Sequence, residues 1–230
     1  YFIVWRARSM LPLLRDVEIR TYAMVLLASI AGLAGLLLAH GTYESAPAAL
    51  QAAAFHVVSV ATTTGYASVD YAMWPVFAPI WLMFLGTFVS CAGSTGGGIK
   101  VIRILTLLKM SFTEMKYLMH PQGVFGVFVN GKYLKKNIVY DIAALVFLYF
   151  VVFFVVVLIV ASGGYDVLTS LSGTIACLGN IGPGFGKVGP VLNYGLFPGY
   201  IKWVLSITML IGRLEVYTVL ILLTPAFWKK

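Results

Sequence analysis

The sequence predicts an all-α integral membrane fold made from two copies of one unit. Three observations carry this. Of the 230 residues, 60% are hydrophobic and only 10% are charged, where a soluble domain carries about 25% charged residues. The apolar residues gather into runs near the ~20 that one bilayer crossing needs. The order spanning helix, half-helix, glycine loop, spanning helix then occurs twice, with Gly65 and Gly182 117 residues apart.

Residues 1–20 are basic and mixed, a cytoplasmic lead-in, and Tyr1-Phe-Ile-Val-Trp5 reads as the middle of a longer chain. Residues 21–111 form the first unit. Tyr22 to Ala39 is an apolar run of 18 residues, one crossing, followed by the outer loop His40 to Ser45. Pro47 to Val60 opens with a proline, as a first helical turn tolerates, and is too short to span. Ala61-Thr-Thr-Thr-Gly-Tyr-Ala67 turns the chain, and Tyr71 and Trp74 supply an interfacial aromatic anchor. Pro75 opens a second crossing, apolar through Val89. Ser90 to Lys100 interrupts it with four glycines between Gly93 and Gly98. Each interior glycine costs a helix about 1 kcal/mol relative to alanine, so three in succession unwind it. Helical character returns at Ile99. Residues 112–137 form a polar cytoplasmic connector with Pro121 and Asn130-Gly131. Residues 138–230 repeat the unit: a crossing from Ile142 to Ala161, a half-helix from Asp166 to Leu178, the loop Gly179 to Gly184, and a final crossing from Phe197-Pro198 to Phe227, interrupted at Gly212-Arg213-Leu-Glu215. Both second crossings open with an aromatic–proline pair.

The net charge of +8 raises nucleic acid as a partner, but the distribution of charge argues against it. Arg6, Arg8, Arg15 and Arg20 precede the first run, seven cations from Lys100 to Lys136 fall between the halves, and Lys229 and Lys230 end the chain. Glu44, Asp70 and Asp166 lie in the opposite loops. This is the positive-inside pattern, with both ends and the connector cytoplasmic. Cys91 and Cys177 read as two buried free thiols. His40, His56 and His120 lack ligand spacing, so no metal site is read. No nucleophile and base converge, so no enzyme is read.

Irregular backbone survives at membrane depth only where protein buries it or it lines a watery cavity. Thr63-Thr-Gly-Tyr-Ala67 and Asn180-Ile-Gly-Pro-Gly184 each place a glycine third of five. Both loosely resemble the Thr-Val-Gly-Tyr-Gly filter of potassium channels. Successive carbonyls point at one axis only if a residue tolerates unusual φ and ψ, which glycine does. The half-helices aim their partly negative C-terminal ends at the same place. Thr62, Thr63, Thr64, Gly65, Tyr66, Asn180, Ile181 and Gly182 are therefore the candidate ion-binding residues. An ordinary outer turn is the competing reading, weakened by the pair at matched positions.

Gly93 to Lys100 invites a phosphate-loop reading that fails, because a Walker loop needs Gly-Lys-Ser/Thr together after a strand. Gly96, Gly97, Gly98 and Lys100 read instead as a mobile constriction below the loops, with close helix packing as the alternative. Arg213 and Glu215 lie inside a crossing, where charge is expensive. Arg213 is about 22 Å down from Pro198 at 1.5 Å per residue. The same count from Pro75 reaches Ser90, so the two breaks can meet. A fixed cation there opposes cation passage unless countered, which suits a gate; a buried structural pair is the alternative.

These residues resemble the C-terminal half of a Trk/Ktr/HKT-superfamily potassium-uptake protein, closest to the bacterial TrkH type. The resemblance rests on Leu14-Arg15-Asp16, Thr63-Thr-Gly-Tyr66, Gly93 to Lys100, His120-Pro121 with Asn130-Gly131-Lys132, Asn180 to Gly184, and Gly212-Arg-Leu-Glu215. It implies half of a pseudo-four-fold cation pore of membrane helix–pore helix–filter loop–membrane helix units, residues 21–111 being the third quadrant and 138–230 the fourth. It implies K⁺ as the transported ion with no covalent cofactor. It also implies that the glycine loop narrows the pore below the filter and that a buried arginine, Arg213, faces it. The implied partners are the remaining two pore units of the same protein, a second copy in a homodimer, a cytosolic nucleotide-binding regulatory ring and membrane lipid. The implied location is the bacterial cytoplasmic (inner) membrane. The rival readings are a secondary transporter with broken helices around a midplane site, which the scarcity of membrane carboxylates disfavours, and a non-conducting scaffold.

Overall fold

The computed structural model describes residues 16–88, 90–94 and 96–228. Most of the lead-in, including Tyr1 to Trp5, Arg6, Arg8 and Leu14-Arg15, lies outside the described residues, as do Val89, Thr95, Lys229 and Lys230.

Helix α1 spans Val17–Ala39. It starts five residues before the apolar run because Asp16 caps it, its carboxylate accepting the Glu18 N–H at 2.8 Å. Helix α2, Ala46–Ala61, packs on α1 and carries a proline in its first turn. A short 3₁₀ turn, Tyr71–Met73, leads to α3, Phe77–Phe88. The helix resumes as α4, Val101–Met119. It runs past residue 112, where the connector was expected to begin, because no breaker intervenes before His120-Pro121. A residue preceding proline is pushed out of the helical region. In the connector, Asn130 and Gly131 both take positive φ, 49° and 74°, as a tight hairpin turn requires. They join β1, Phe128–Val129, to β2, Lys132–Tyr133.

Helix α5, Lys136–Ser162, is the longest crossing. Helix α6, Val167–Leu178, is the second half-helix. Asp166 caps it and accepts from the Thr169 N–H at 3.0 Å. Hydrogen bonds from Thr169 hold the Asp166 carboxyl below the usual carboxylate range. The chain ends in α7, Gly199–Leu214, α8, Val216–Leu223, and α9, Pro225–Trp228.

By length and composition α1 and α5 each suffice to cross a membrane, and α7 with α8, bent by 113°, suffice as a third if the pair is one span. The helical order breaks at two places, by different means. In the first, the chain leaves the helix near Ser90 and returns at Lys100 to the same neck. Ile99 N–H bonds Thr87 O and Val101 N–H bonds Ser90 O, both at 2.8 Å, and Ser90 and Lys100 form a parallel bridge. In the second, one residue makes the bend: Glu215 sits at φ 64° between α7 and α8.

One apolar cluster fills the first unit, with Leu37, Ala53, Val57, Leu82 and Leu85 buried. A second, around Val160, Cys177, Ile201 and Leu205, fills the other. Ile99, Tyr149, Leu178 and Val216 bury against one another at the seam, so residues from both breaks join the units. Large apolar side chains such as Leu27, Phe147, Phe154, Trp203 and Leu210 stay exposed on the crossings, as a hydrocarbon surround favours. Cys177 is buried, but Cys91 is only half-buried; the expectation of two buried thiols is corrected, because Cys91 opens the irregular excursion rather than ending a helix.

Candidate functional site

Over four residues the two loops follow similar backbone paths at an offset of 117. Thr62 and Gly179 cap α2 and α6. The next N–H groups, of Thr63 and Asn180, bond Val60 O and Cys177 O at 3.0 and 3.1 Å. Those of Thr64 and Ile181 bond Ser59 O and Ala176 O at 2.8 and 2.9 Å. Thr63 and Asn180 take φ 55° and 54°, and Gly65 and Gly182 take 78° and 108°. Asparagine tolerates the left-handed region; a β-branched threonine there is a strained outlier costing about 1–3 kcal/mol. The surroundings hold Thr63 in place: Thr62 Oγ1 lies 2.8 Å from Thr64 Oγ1 and donates to Val58 O at 2.7 Å.

Side chains of the half-helices catch each loop as it leaves. Ser59 Oγ donates to Tyr66 O at 2.7 Å, and the Ser68 N–H donates to His56 Nε2 at 3.3 Å. In the second unit the Phe185 N–H, at the place matching Ser68, donates to Ser172 Oγ at 2.8 Å. Tyr194 OH donates to Gly182 O at 2.9 Å and Asn180 Nδ2 to Met209 O at 3.0 Å. Ile181 is buried, Gly182 is exposed, and Tyr66 is 72% exposed. The loops also meet each other: a Cβ on Gly65 would collide with the Ile181 carbonyl oxygen.

The glycine excursion abuts the C-terminal ends of both half-helices. Gly97 lies against the Gly179 backbone, and a Cβ on Gly96 would stand 3.1 Å from Thr63 Oγ1. From the other break, Gly212 lies against the Leu178 carbonyl. A cavity of about 120 Å³ is lined by Ser94, Gly96, Gly98, Lys100, Gly212, Arg213 and Glu215. The expected constriction residues Gly96, Gly98, Lys100 and Arg213 therefore line one cavity. Arg213, expected as a buried arginine of the complete pore, lies in the last turn of α7, is exposed in this chain by itself and lines the cavity.

Several residues escaped the sequence reading. Glu215 accepts from Lys100 Nζ at 2.7 Å and from Arg103 Nη2 at 2.8 Å. Lys100 and Arg103 lie more than a hundred residues away; Lys100 was read as a constriction residue, and Arg103 only as one of the cations between the halves. His56, read as scattered, is fully buried, with Nδ1 2.8 Å from Ala52 O. With Nδ1 protonated toward Ala52, Nε2 is free to accept from Ser68, so the neutral ring serves both contacts. His56 falls on α2 nine residues before Gly65, where the matching position of α6 is Gly173, so the repeat itself gave no signal for it. Replacing His56 by leucine orphans the Ser68 N–H at a cost of about 1–3 kcal/mol. The expected result is a lower Tm with the secondary structure kept, measured by thermal unfolding followed by circular dichroism.

Comparison with known proteins bears on this arrangement. The TrkH family, described as cation transport protein, matches residues 6–230. The chain is 43% identical over 194 residues to the Trk system potassium uptake protein TrkH of Vibrio parahaemolyticus, covering 84% of this chain and 40% of that relative. It is 38% identical over 230 residues to the protein of the same name from Salmonella typhimurium, covering 100% of this chain and 47% of the relative. The crystal structure of the potassium transporter TrkH from Vibrio parahaemolyticus superposes with TM-score 0.86 at 41% identity, over 93% of this chain and 45% of that one. The chain spans about half the length of the curated relatives it matches.

Proposed function

The chain belongs to the TrkH family of cation transport proteins, and on that footing we propose that it supplies two quadrants of a K⁺ uptake pore in the bacterial inner membrane. Residues 21–111 are the third membrane–pore–membrane unit, 112–137 the cytoplasmic connector and 138–230 the fourth unit. The remaining two units belong to the same protein, so this half does not enclose the pore alone. Thr62, Thr63, Thr64, Gly65 and Tyr66 form one filter wall, and Asn180, Ile181 and Gly182 another. Gly96 to Gly98 narrow the path beneath, with Lys100 and Arg213 as fixed charges beside it. The lead-in, the connector and the chain end face the cytoplasm, where a nucleotide-binding regulatory ring docks, and the complete protein pairs with a second copy.

The observation that carries this reading is the repeated loop backbone, with left-handed residues at Thr63 and Gly65 and again at Asn180 and Gly182. Both loops sit at the C-terminal ends of half-helices whose partial negative charge favours a cation. The names of the relatives supply the ion.

The test is thermal stability of the complete purified protein in chlorides of K⁺, Rb⁺, Na⁺ and Li⁺ at equal ionic strength. An ion that binds only the folded state raises stability by RT ln(1 + [L]/Kd). Concentration-dependent stabilisation by K⁺ and Rb⁺ above Na⁺ and Li⁺ is expected. An equal response to all four would remove the filter assignment.

A further inference from the structure

We infer that Glu18 is the positioning residue that tethers the intramembrane glycine loop, and that the Asn130 turn of the connector holds Glu18 where it can do so. The inference rests on the proposed role of that loop as the constriction.

Within the excursion the bonds are mostly its own. Ser94 N–H bonds Cys91 O at 3.0 Å and Gly96 N–H bonds Ser94 Oγ at 2.9 Å. The two neck bonds tie its ends to Thr87 and Ser90. The Ala92 N–H, by contrast, donates to Glu18 Oε1 on α1, 74 residues away. A carboxylate accepting a backbone N–H forms a charge-assisted bond, about twice as strong as a neutral one. It also seizes the loop one residue after its exit, where it governs the direction the chain takes.

Glu18 is itself fixed from the cytoplasmic side. Its N–H is capped by Asp16 Oδ1 at 2.8 Å. The neighbouring Val17 N–H donates to Asn130 Oδ1 at 2.9 Å, and Asn130 Nδ2 reaches Asp16 Oδ2 at 3.3 Å. One asparagine therefore reads both a donor and an acceptor at the first turn of α1. It does so from the apex of the hairpin, at φ 49°. The hairpin is in turn held to α4, where Lys109 Nζ donates to Phe128 O at 2.8 Å. Since α4 continues from the far end of the glycine loop, the contacts form a closed circuit: loop, Glu18, Asp16 and Val17, Asn130, hairpin, α4, loop. A displacement of the hairpin then reaches both ends of the loop without passing through the filter.

The circuit makes Glu18 important as a hydrogen-bond acceptor more than as a charge. Glutamine keeps the Oε1 acceptor; alanine does not. The loop is reported by Gly93→Cys, because a Cβ at Gly93 meets nothing within 4 Å. The experiment uses the complete protein with Cys91→Ala and Cys177→Ala as background, and measures the rate at which a charged thiosulfonate reagent modifies that cysteine from the cytoplasmic side. Glu18→Ala is expected to raise the rate roughly tenfold, the worth of one charge-assisted hydrogen bond. Glu18→Gln is expected to stay within about threefold of the parent, since it retains a neutral bond. Asn130→Ala is expected to raise the rate less than Glu18→Ala, and the double variant no further than Glu18→Ala alone, because both act on one path. The K⁺ over Na⁺ preference is expected to hold throughout. A parental rate in Glu18→Ala, an equally fast rate in Glu18→Gln, or additive effects in the double variant would each overturn the tether. If Glu18→Ala does not fold, Asn130→Ala decides: an unchanged rate there overturns the coupling. A changed modification rate together with an equal stability response to the four cations would keep the tether and sink the pore reading, so the two failures are distinguishable.

Discussion

Gly65→Ala is expected to abolish K⁺ uptake by the complete protein, whereas Gly182→Ser is expected to leave a folded protein with a weakened preference for K⁺ over Na⁺. The two glycines occupy the same place in the repeat but meet different surroundings. Gly65 at φ 78° faces two penalties. A side chain there costs about 1–2 kcal/mol in the left-handed region. Its Cβ would also strike the Ile181 carbonyl, which is backbone and has no rotamer to turn away. Relief requires the two loops to separate, so the damage passes from one loop to the other. Gly182 at φ 108° has no atom within 4 Å of a Cβ. Only its conformation resists, and Tyr194 OH already holds its carbonyl at 2.9 Å. Serine there shifts one carbonyl and leaves the fold intact. Rubidium uptake with K⁺ or Na⁺ as competitor, beside Tm, separates the two. Normal uptake in Gly65→Ala would dismiss the loop–loop contact. Unchanged relative competition in Gly182→Ser would dismiss the filter wall.

This contrast also marks what the sequence made legible. The two short helices, the loops after them and the two helix breaks were readable because local composition dictates them: apolar run length, a proline at a helix start, glycine where a helix cannot continue. The repeat doubled each signal. The strain at Thr63 was not readable, since threonine announces nothing; only its alignment with Asn180 hints at a left-handed residue. The length of α4 was misjudged because polarity rises at Ser111 to Lys116, yet polarity alone does not end a helix. Contacts across large separations were invisible. Glu18 to Ala92, His56 with Ser68, and Glu215 with Lys100 and Arg103 obey no period. Glu215 drew notice as a membrane charge, and the residue count let the two breaks meet, but it named neither Lys100 nor Arg103 as partners and gave no sign of the bend of 113°.

Glu215→Ala is expected to reduce cation flux by more than its loss of stability explains. Lys100 and Arg103 are each only 18% exposed, and Glu215 is their common carboxylate at 36% exposure. Removing one partner of a buried pair costs about 3–5 kcal/mol; with Glu215 this exposed, solvent lowers the figure to about 2 kcal/mol. The backbone separates the contributions. Glu215 lies at φ 64°, so Glu215→Gly loses the pairs but gains about 1 kcal/mol of relieved strain, while Glu215→Gln keeps an acceptor and the strain. The expected order of Tm is parent, Gln, Gly, Ala. Flux has a different order, because charge governs it. With the carboxylate gone, the charges of Lys100 and Arg103 are no longer offset by Glu215 beside the glycine excursion. Gly, Ala and Gln all remove that negative charge. All three are therefore expected to lose rubidium uptake to a similar degree despite their spread in Tm, with partial recovery in Lys100→Gln/Glu215→Gln. Uptake that instead tracks Tm across the series would assign Glu215 to stability alone and withdraw Lys100 from the constriction.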